Sequence, residues 1–264
     1  MIEIKNLTKV YDDGTRALQD VSFKVKDGEF LVVIGLSGSG KSTLLRCMNR
    51  LVEPTEGRIL WNDVDVTAAD QAELRKIRRS FGMIFQHFNL VRRSTVMTNV
   101  LSGRLGYSNP WASLLYHFSP SDRQMASAAL KRVGLEDQAY KLARELSGGQ
   151  QQRVGIARAL MQQPDVILAD EPVASLDPVL AHTILGYLER LNSEDGMTVV
   201  CSLHYLDLVQ RYASYVIGLR DGRIVWEGDS DAIKAMTDEE FKEIYGEEAE
   251  RVSAGRPAAE ATNG

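Results

Sequence analysis

The sequence predicts a layered α/β fold with a helical lobe inserted into it, and three observations carry that prediction. The run Phe30–Ile34 is apolar at every position, as in a strand covered on both faces, and a glycine-rich loop and a helical pattern follow it. A second buried run, Asp165–Asp170, comes late in the chain, between helical stretches. Between them, from about 87 to 162, the pattern is mostly helical, so the strand-bearing part is split in sequence.

Each element has its local reason. Ile2 and Ile4 alternate with polar residues, as do Val21, Phe23 and Val25, which reads as half-buried strands. Asp27-Gly28 is a turn, a helix runs from about Lys41 to Arg50, and Gly57–Trp61 and Gly82–Phe85 read as further strands. Ser119 before Pro120 is a helix cap with proline at the first helical position. Ser147 caps a helix to about Gln162, and Asp177-Pro178 opens another to about Ser193. Met197–Leu203 is strand-like, and Tyr215–Leu219 and Arg223–Glu227 form a hairpin across Asp221-Gly222. Thr237 and Glu240 make a capping box for a last short helix. Residues 247–264 have no periodicity and read as a disordered tail.

Composition narrows the function classes. The 264 residues are 44% hydrophobic and 25% charged, enough for a large core. Net charge is −5, against the basic face that sequence-independent nucleic-acid binding needs, so no nucleic-acid partner is expected. Two cysteines, Cys47 and Cys201, exclude a disulfide framework and read as small core residues. No apolar run approaches the roughly 18 residues of a membrane span, and Met1–Thr8 lack a signal-peptide pattern, so the reducing cytosol is the expected compartment.

Gly35-Leu36-Ser37-Gly38-Ser39-Gly40-Lys41-Ser42 fits G-x-x-x-x-G-K-[ST], with Thr43 after it. Glycines let backbone N–H groups wrap a phosphate, and the helix beginning near Lys41 adds its positive end. Lys41 would neutralise the β- and γ-phosphates, and the Ser42 hydroxyl would ligate Mg²⁺. Asp170 closes a buried strand, where a carboxylate can reach the same ion, and Glu171 beside it is placed to activate water. Leu146-Ser147-Gly148-Gly149-Gln150 is a second helix start with two glycines and no lysine.

In this order the motifs strongly resemble those of ABC transporter ATP-binding subunits, from Met1 to about Gly246. The resemblance implies a P-loop NTPase (ABC ATPase) core with an antiparallel β subdomain and an inserted α-helical subdomain. That is one domain over 1–246, its core at about 1–86 and 163–246 and its helical part at about 87–162. It implies that Tyr11 stacks on adenine, that Gln86 is the Q-loop glutamine and a Mg²⁺ ligand, that Ser175-Leu176-Asp177 is the D-loop and that His204 is the switch histidine. Taken alone, each has a bland reading: Tyr11 as a strand-end core aromatic, Gln86 as a surface amide and His204 as structural. Two copies of such a chain close head to tail. Each ATP then lies between the Gly35–Thr43 loop of one copy and Ser147, Gly148, Gly149 and Gln150 of the other. The helical lobe would grip a permease at the cytoplasmic face of the membrane, with an extracytoplasmic solute-binding protein acting indirectly.

Finer detail resembles phosphonate-importer ATP-binding subunits: Ile34–Arg50, Asn99–Gly106, Trp111–Phe118 and Glu171–Pro178. Val173-Ala174-Ser175 stands where most ABC ATPases have Thr-Ser-Ala or similar. Importers of phosphite, phosphate or other small solutes share the nucleotide motifs, as do non-transport ABC ATPases associated with phosphonate breakdown. Two features keep double readings. Tyr107, Trp111, Tyr116 and Phe118 are either lobe core or a permease surface, and Arg75, Lys76, Arg78 and Arg79 are either a solvated helix face or a contact to anionic lipid.

Overall fold

The alternating residues at the start of the chain pair as β1 (Ile2–Val10) and β2 (Arg16–Val25), antiparallel, with Ile4 opposite Phe23. β4 (Glu56–Trp61) runs antiparallel along the other side of β1 and carries the short β5 (Val64–Asp65), giving the order β2-β1-β4-β5. This is a computed structural model, and it describes residues 1–107 and 118–246.

The apolar runs build a second sheet from β3 (Phe30–Ile34), β6 (Phe81–Ile84), β7 (Val166–Ala169), β8 (Thr198–Ser202), β9 (Tyr215–Arg220) and β10 (Arg223–Asp229). Its order is β10-β9-β3-β8-β7-β6, parallel throughout except where β10 turns back on β9. Asp221 and Gly222 both take positive φ, +49° and +75°, as the expected two-residue turn requires.

Continuous apolar sequence follows from burial on both faces. Phe30, Val32 and Ile34 enter one core, while Leu31 and Val33 enter the other. The second core is closed by the antiparallel sheet and by α1 (Lys41–Met48), which supplies Leu44, Leu45 and Met48. The first is closed by helices: α3 (Val96–Leu101), α4 (Pro120–Arg132), α5 (Gly148–Leu160), α6 (Pro178–Ser193) and α7 (Leu206–Tyr212). Each fully buried aliphatic side chain contributes roughly 1.5–3 kcal/mol. Cys47 and Cys201 are both buried, and burial pushes the Cys47 thiol up to about 12, so it behaves as an apolar filler.

The caps at Ser119, Ser147, Asp177 and Thr237 each accept from a backbone N–H in the first turn, the last opening α9 (Asp238–Tyr245). α1 ends at Met48 rather than at Arg50, because Arg50 is left-handed at φ +52°. Its guanidinium turns back to the carbonyls of Val66 and Ala69, which holds that turn. Four elements carry no expectation from sequence: β5, α2 (Gln71–Ile77), α7 and α8 (Ser230–Lys234). Among the described residues no helix is long and apolar enough to cross a membrane. The tail at 247–264 and the aromatic positions Trp111 and Tyr116 lie outside the described residues.

Candidate nucleotide site

In a parallel sheet the strand ends that point the same way collect whatever follows them. Here β3 is followed by Gly35, β6 by Gln86, β7 by Asp170 and Glu171, and β8 by His204. Four separate stretches of sequence thus meet at one edge of the sheet, beside a cavity of about 380 Å³ that Lys41, Ser42, Gln86 and Glu171 help to line.

The loop can be built only with glycine at two points. Gly35 has φ +144°, and a Cβ there would run into the carbonyl oxygen of Leu219 on β9. Gly40 has φ +108°, and its Cβ would meet the carbonyl oxygen of Ala17 on β2. The loop is wedged between the two sheets. α1 begins at Lys41 with no side-chain cap, which leaves its first N–H groups for a ligand. Such a helix start favours phosphate.

Lys41 is almost fully buried. Its Nζ donates to the carbonyls of Gly35 (2.9 Å) and Leu36 (2.8 Å) and lies 3.8 Å from Glu171 Oε1. Burial lowers its pKa, and the carboxylates of Glu171 and Asp170 hold it up. Asp170 is fully buried. Ser42 Oγ donates to its Oδ1 at 2.6 Å, and Arg46 Nη2 to its Oδ2 at 3.0 Å. Neither Arg46 nor Ser202 has a role at the site that the sequence predicts. Arg46 stands four residues after Ser42, on the same helix face. Ser202 Oγ accepts the Glu171 N–H at 2.8 Å and holds a residue whose φ is +45°.

Glu171 is held from three sides. His204 Nε2 is 2.5 Å from Oε1, Gln86 Nε2 donates to Oε2 at 2.8 Å, and Lys41 stands behind. The hydrogen bond from His204 holds the Glu171 carboxyl below the usual glutamate range, against the upward push of burial, with Lys41 adding to it. A group with a lowered pKa keeps its charge as pH falls until that lower value is crossed. Glu171 is therefore ionised throughout the neutral range. The Ser42 hydroxyl, the Asp170 carboxylate and the Gln86 amide oxygen are hard oxygen donors, and together they suit Mg²⁺.

Residues 18–174 match the family model described as ABC transporter. The chain belongs to the ABC transporter family. It is 50% identical over 246 residues to the protein named Phosphonates import ATP-binding protein PhnC 3 of Halalkalibacterium halodurans, covering 93% of this chain and 94% of that one. It is 50% identical over 254 residues to Phosphonates import ATP-binding protein PhnC of Bdellovibrio bacteriovorus, covering 96% of each. Among solved structures it is similar to a dimeric bacterial ABC transporter cassette, with a TM-score of 0.78 and 39% identity over 87% of this chain and 99% of that one. An ATP-binding cassette in its ADP conformation gives a TM-score of 0.80 at 30% identity, covering 97% and 98%.

Within this ABC transporter chain, the structure does not bring every expected site residue to one place. Ser147 and Gly148 are exposed at the head of α5 and do not line the cavity that Lys41 lines. Ser147 and Gln150 satisfy each other: the Ser147 N–H donates to Gln150 Oε1 at 2.9 Å, and the Gln150 N–H to Ser147 Oγ at 3.4 Å. A Cβ at Gly149 would stand 3.1 Å from Leu180, so little room exists for a side chain there, whereas one at Gly148 would make only ordinary contact, 3.7 Å from Leu176. Ser175 is exposed, and Asp177 caps α6 through the Leu180 N–H. Ser37, Gly38 and Thr43 line the cavity, and Ser39 is buried beneath it. Tyr11 stands at the rim, partly exposed, its hydroxyl 3.1 Å from Thr43 Oγ1.

The structure bears on parts of the two double readings. Phe118 is core, whereas Tyr107 stays exposed although anchored: its hydroxyl donates to the Gln162 carbonyl at 2.7 Å, and Arg79 and Arg104 lie over its ring. Of the basic run, Arg75 and Lys76 are exposed on α2, but Arg78 is not a solvated face. Its guanidinium donates to the carbonyls of Asn49 and Arg50, just past the end of α1, where orphan acceptors gather.

Proposed function

We propose that this chain is the ATP-hydrolysing subunit that powers import of phosphonates, or related phosphorus oxyanions, through a separate membrane permease. The observation that carries the catalytic part is the Glu171 carboxylate, kept ionised and aimed into the cavity by His204, Gln86 and Lys41. The named solute of relatives half identical over nearly the whole chain supports the phosphonate part.

The residues divide the work. N–H groups of the Gly35–Thr43 loop and the Lys41 ammonium bind the phosphates of ATP, and Tyr11 stacks on its adenine. Ser42, Asp170 and Gln86 hold Mg²⁺, which when bound neutralises phosphate charge. A second copy closes the site with its own Ser147–Gln150, excluding water except for the one to be used. Glu171 accepts a proton from that water as it attacks the γ-phosphorus, and the bond from that phosphorus to the bridging oxygen breaks, releasing ADP and inorganic phosphate. Gln86 orients Glu171, and His204 turns its ring to the γ-phosphate. The D-loop residues Ser175, Leu176 and Asp177 sit where the two copies meet. The cycle is passed to the permease through the Gln86 segment and the helical lobe, 87–162. A solute-binding protein outside the membrane supplies the ligand signal, and this subunit sits peripherally on the cytoplasmic face. One discontinuous domain, 1–246, holds all of this machinery, and the tail, 247–264, adds no motif to it.

A strain that lacks this chain should fail to grow with methylphosphonate or 2-aminoethylphosphonate as sole phosphorus source and should grow normally on inorganic phosphate. Restoration by the wild-type chain, but not by Glu171→Gln, is the expected result. Undiminished growth of the deletion strain on both phosphonates would contradict the assignment.

A further inference from the structure

The segment that follows Gln86 is held in an unusual shape. Phe88 and Asn89 both take left-handed backbone angles, φ +58° and +48°. Non-glycine residues rarely do this, and seldom in succession. The conformation aims two successive carbonyls at one guanidinium. Arg158 Nη2 donates to the Phe88 oxygen at 2.9 Å and Nη1 to the Asn89 oxygen at 2.5 Å. No carboxylate pairs with Arg158 among the described residues, so these carbonyls are its principal partners. Burial disfavours its charge, which makes those two bonds the more necessary.

Arg158 lies near the end of α5, the helix whose first turn carries Ser147–Gln150. The same helix also comes close to the segment at its other end, where a Cβ at Gly148 would stand 3.8 Å from the tip of the Phe88 ring. Two residues before Phe88, Gln86 holds Glu171 at 2.8 Å. Helix, segment and catalytic carboxylate therefore form one chain of direct contacts.

We propose that Arg158 is a positioning residue that locks α5 to the Gln86 segment, so that engagement of Ser147–Gln150 by the nucleotide of a second copy is transmitted to Gln86 and its contact with Glu171. This rests on the two-copy ATP site proposed above. It assigns the transmission to a residue that does not line the cavity of Lys41 and Glu171.

The test is amide hydrogen exchange on the full chain, with and without Mg²⁺ and a non-hydrolysable ATP analogue, in wild type, Arg158→Gln and Arg158→Lys. In wild type the analogue should slow exchange in both the 35–43 loop and the 86–91 segment. In Arg158→Gln the loop should respond as before, while 86–91 exchanges about tenfold faster or more and ignores the analogue, because two charge-assisted bonds are gone. Arg158→Lys should fall between, since an ammonium lacks the fork that spans two carbonyls. ATP affinity should be unchanged in both variants while kcat falls. If Arg158→Gln does not fold, Arg158→Lys carries the comparison. Wild-type protection of 86–91 in the variant would overturn the proposal. If the 35–43 loop fails to respond even in wild type, the nucleotide reading itself fails. Exchange of 86–91 without nucleotide then still judges Arg158: about tenfold faster in the variant supports the latch, and equal exchange overturns it.

Discussion

Glu171→Gln should bind Mg·ATP with near wild-type affinity and barely hydrolyse it, and should accumulate as a closed dimer. The substitution keeps the size and shape of a side chain held between His204, Gln86 and Lys41, so the cavity stays formed. It removes the carboxylate that takes the proton. General-base assistance is worth about 10²–10⁴-fold, and turnover should fall by that much. Affinity survives because the Lys41 contacts to Gly35 and Leu36 do not involve Glu171. Single-turnover hydrolysis, together with light scattering of the ATP-loaded protein, checks both halves. Turnover near wild type would remove Glu171 from the role of base.

Ser147→Arg should abolish hydrolysis while leaving ATP binding by the single chain intact. Ser147 lies away from the cavity lined by Lys41, so the change does not disturb that chain's own phosphate loop. A bulky cation at the exposed head of α5 would instead block the second copy's nucleotide. Losing the cap costs roughly 1 kcal/mol, too little to unfold a domain with two large cores. Lys41→Ala should fail in the opposite way, losing ATP affinity. Each variant alone should retain about 1% of activity or less, the scale on which a lost phosphate- or oxyanion-stabilising group acts. Mixed, they should recover measurable turnover, because one of the two composite sites pairs a wild-type loop with a wild-type Ser147. Absence of recovery in a mixture shown to contain heterodimers would contradict a site shared between two copies.

Most of the nucleotide machinery was legible because its physics is local in sequence. A glycine that must take φ +144° beside Leu219, a lysine at a helix start and a carboxylate at a buried strand end each sit at a fixed spacing from a neighbouring motif. The same holds for the caps at Ser119, Ser147, Asp177 and Thr237. What escaped depends on partners distant in sequence. Arg46 and Ser202 act on Asp170 and Glu171 only because β7, β8 and α1 converge. Arg78 faces the end of α1, which no charge pattern reveals. The α2 helix did have a signal, the Asp70 and Glu73 capping box, but its run is short and only Leu74 and Ile77 are buried. The left-handed pair Phe88 and Asn89 carries no glycine to mark it, and Arg158 is needed to hold it.

The central claim is tested most directly by ATP hydrolysis against phosphonate concentration, for the chain alone and for the chain assembled in lipid vesicles with the permease and solute-binding protein proposed above. The expected site residues are all assigned to nucleotide and none to a phosphonate pocket, so the isolated chain should hydrolyse ATP slowly at a rate that phosphonate does not change. In the assembled transporter the rate should rise with phosphonate and saturate. Stimulation of the isolated chain by phosphonate, or an assembled transporter whose rate ignores it, would contradict the account.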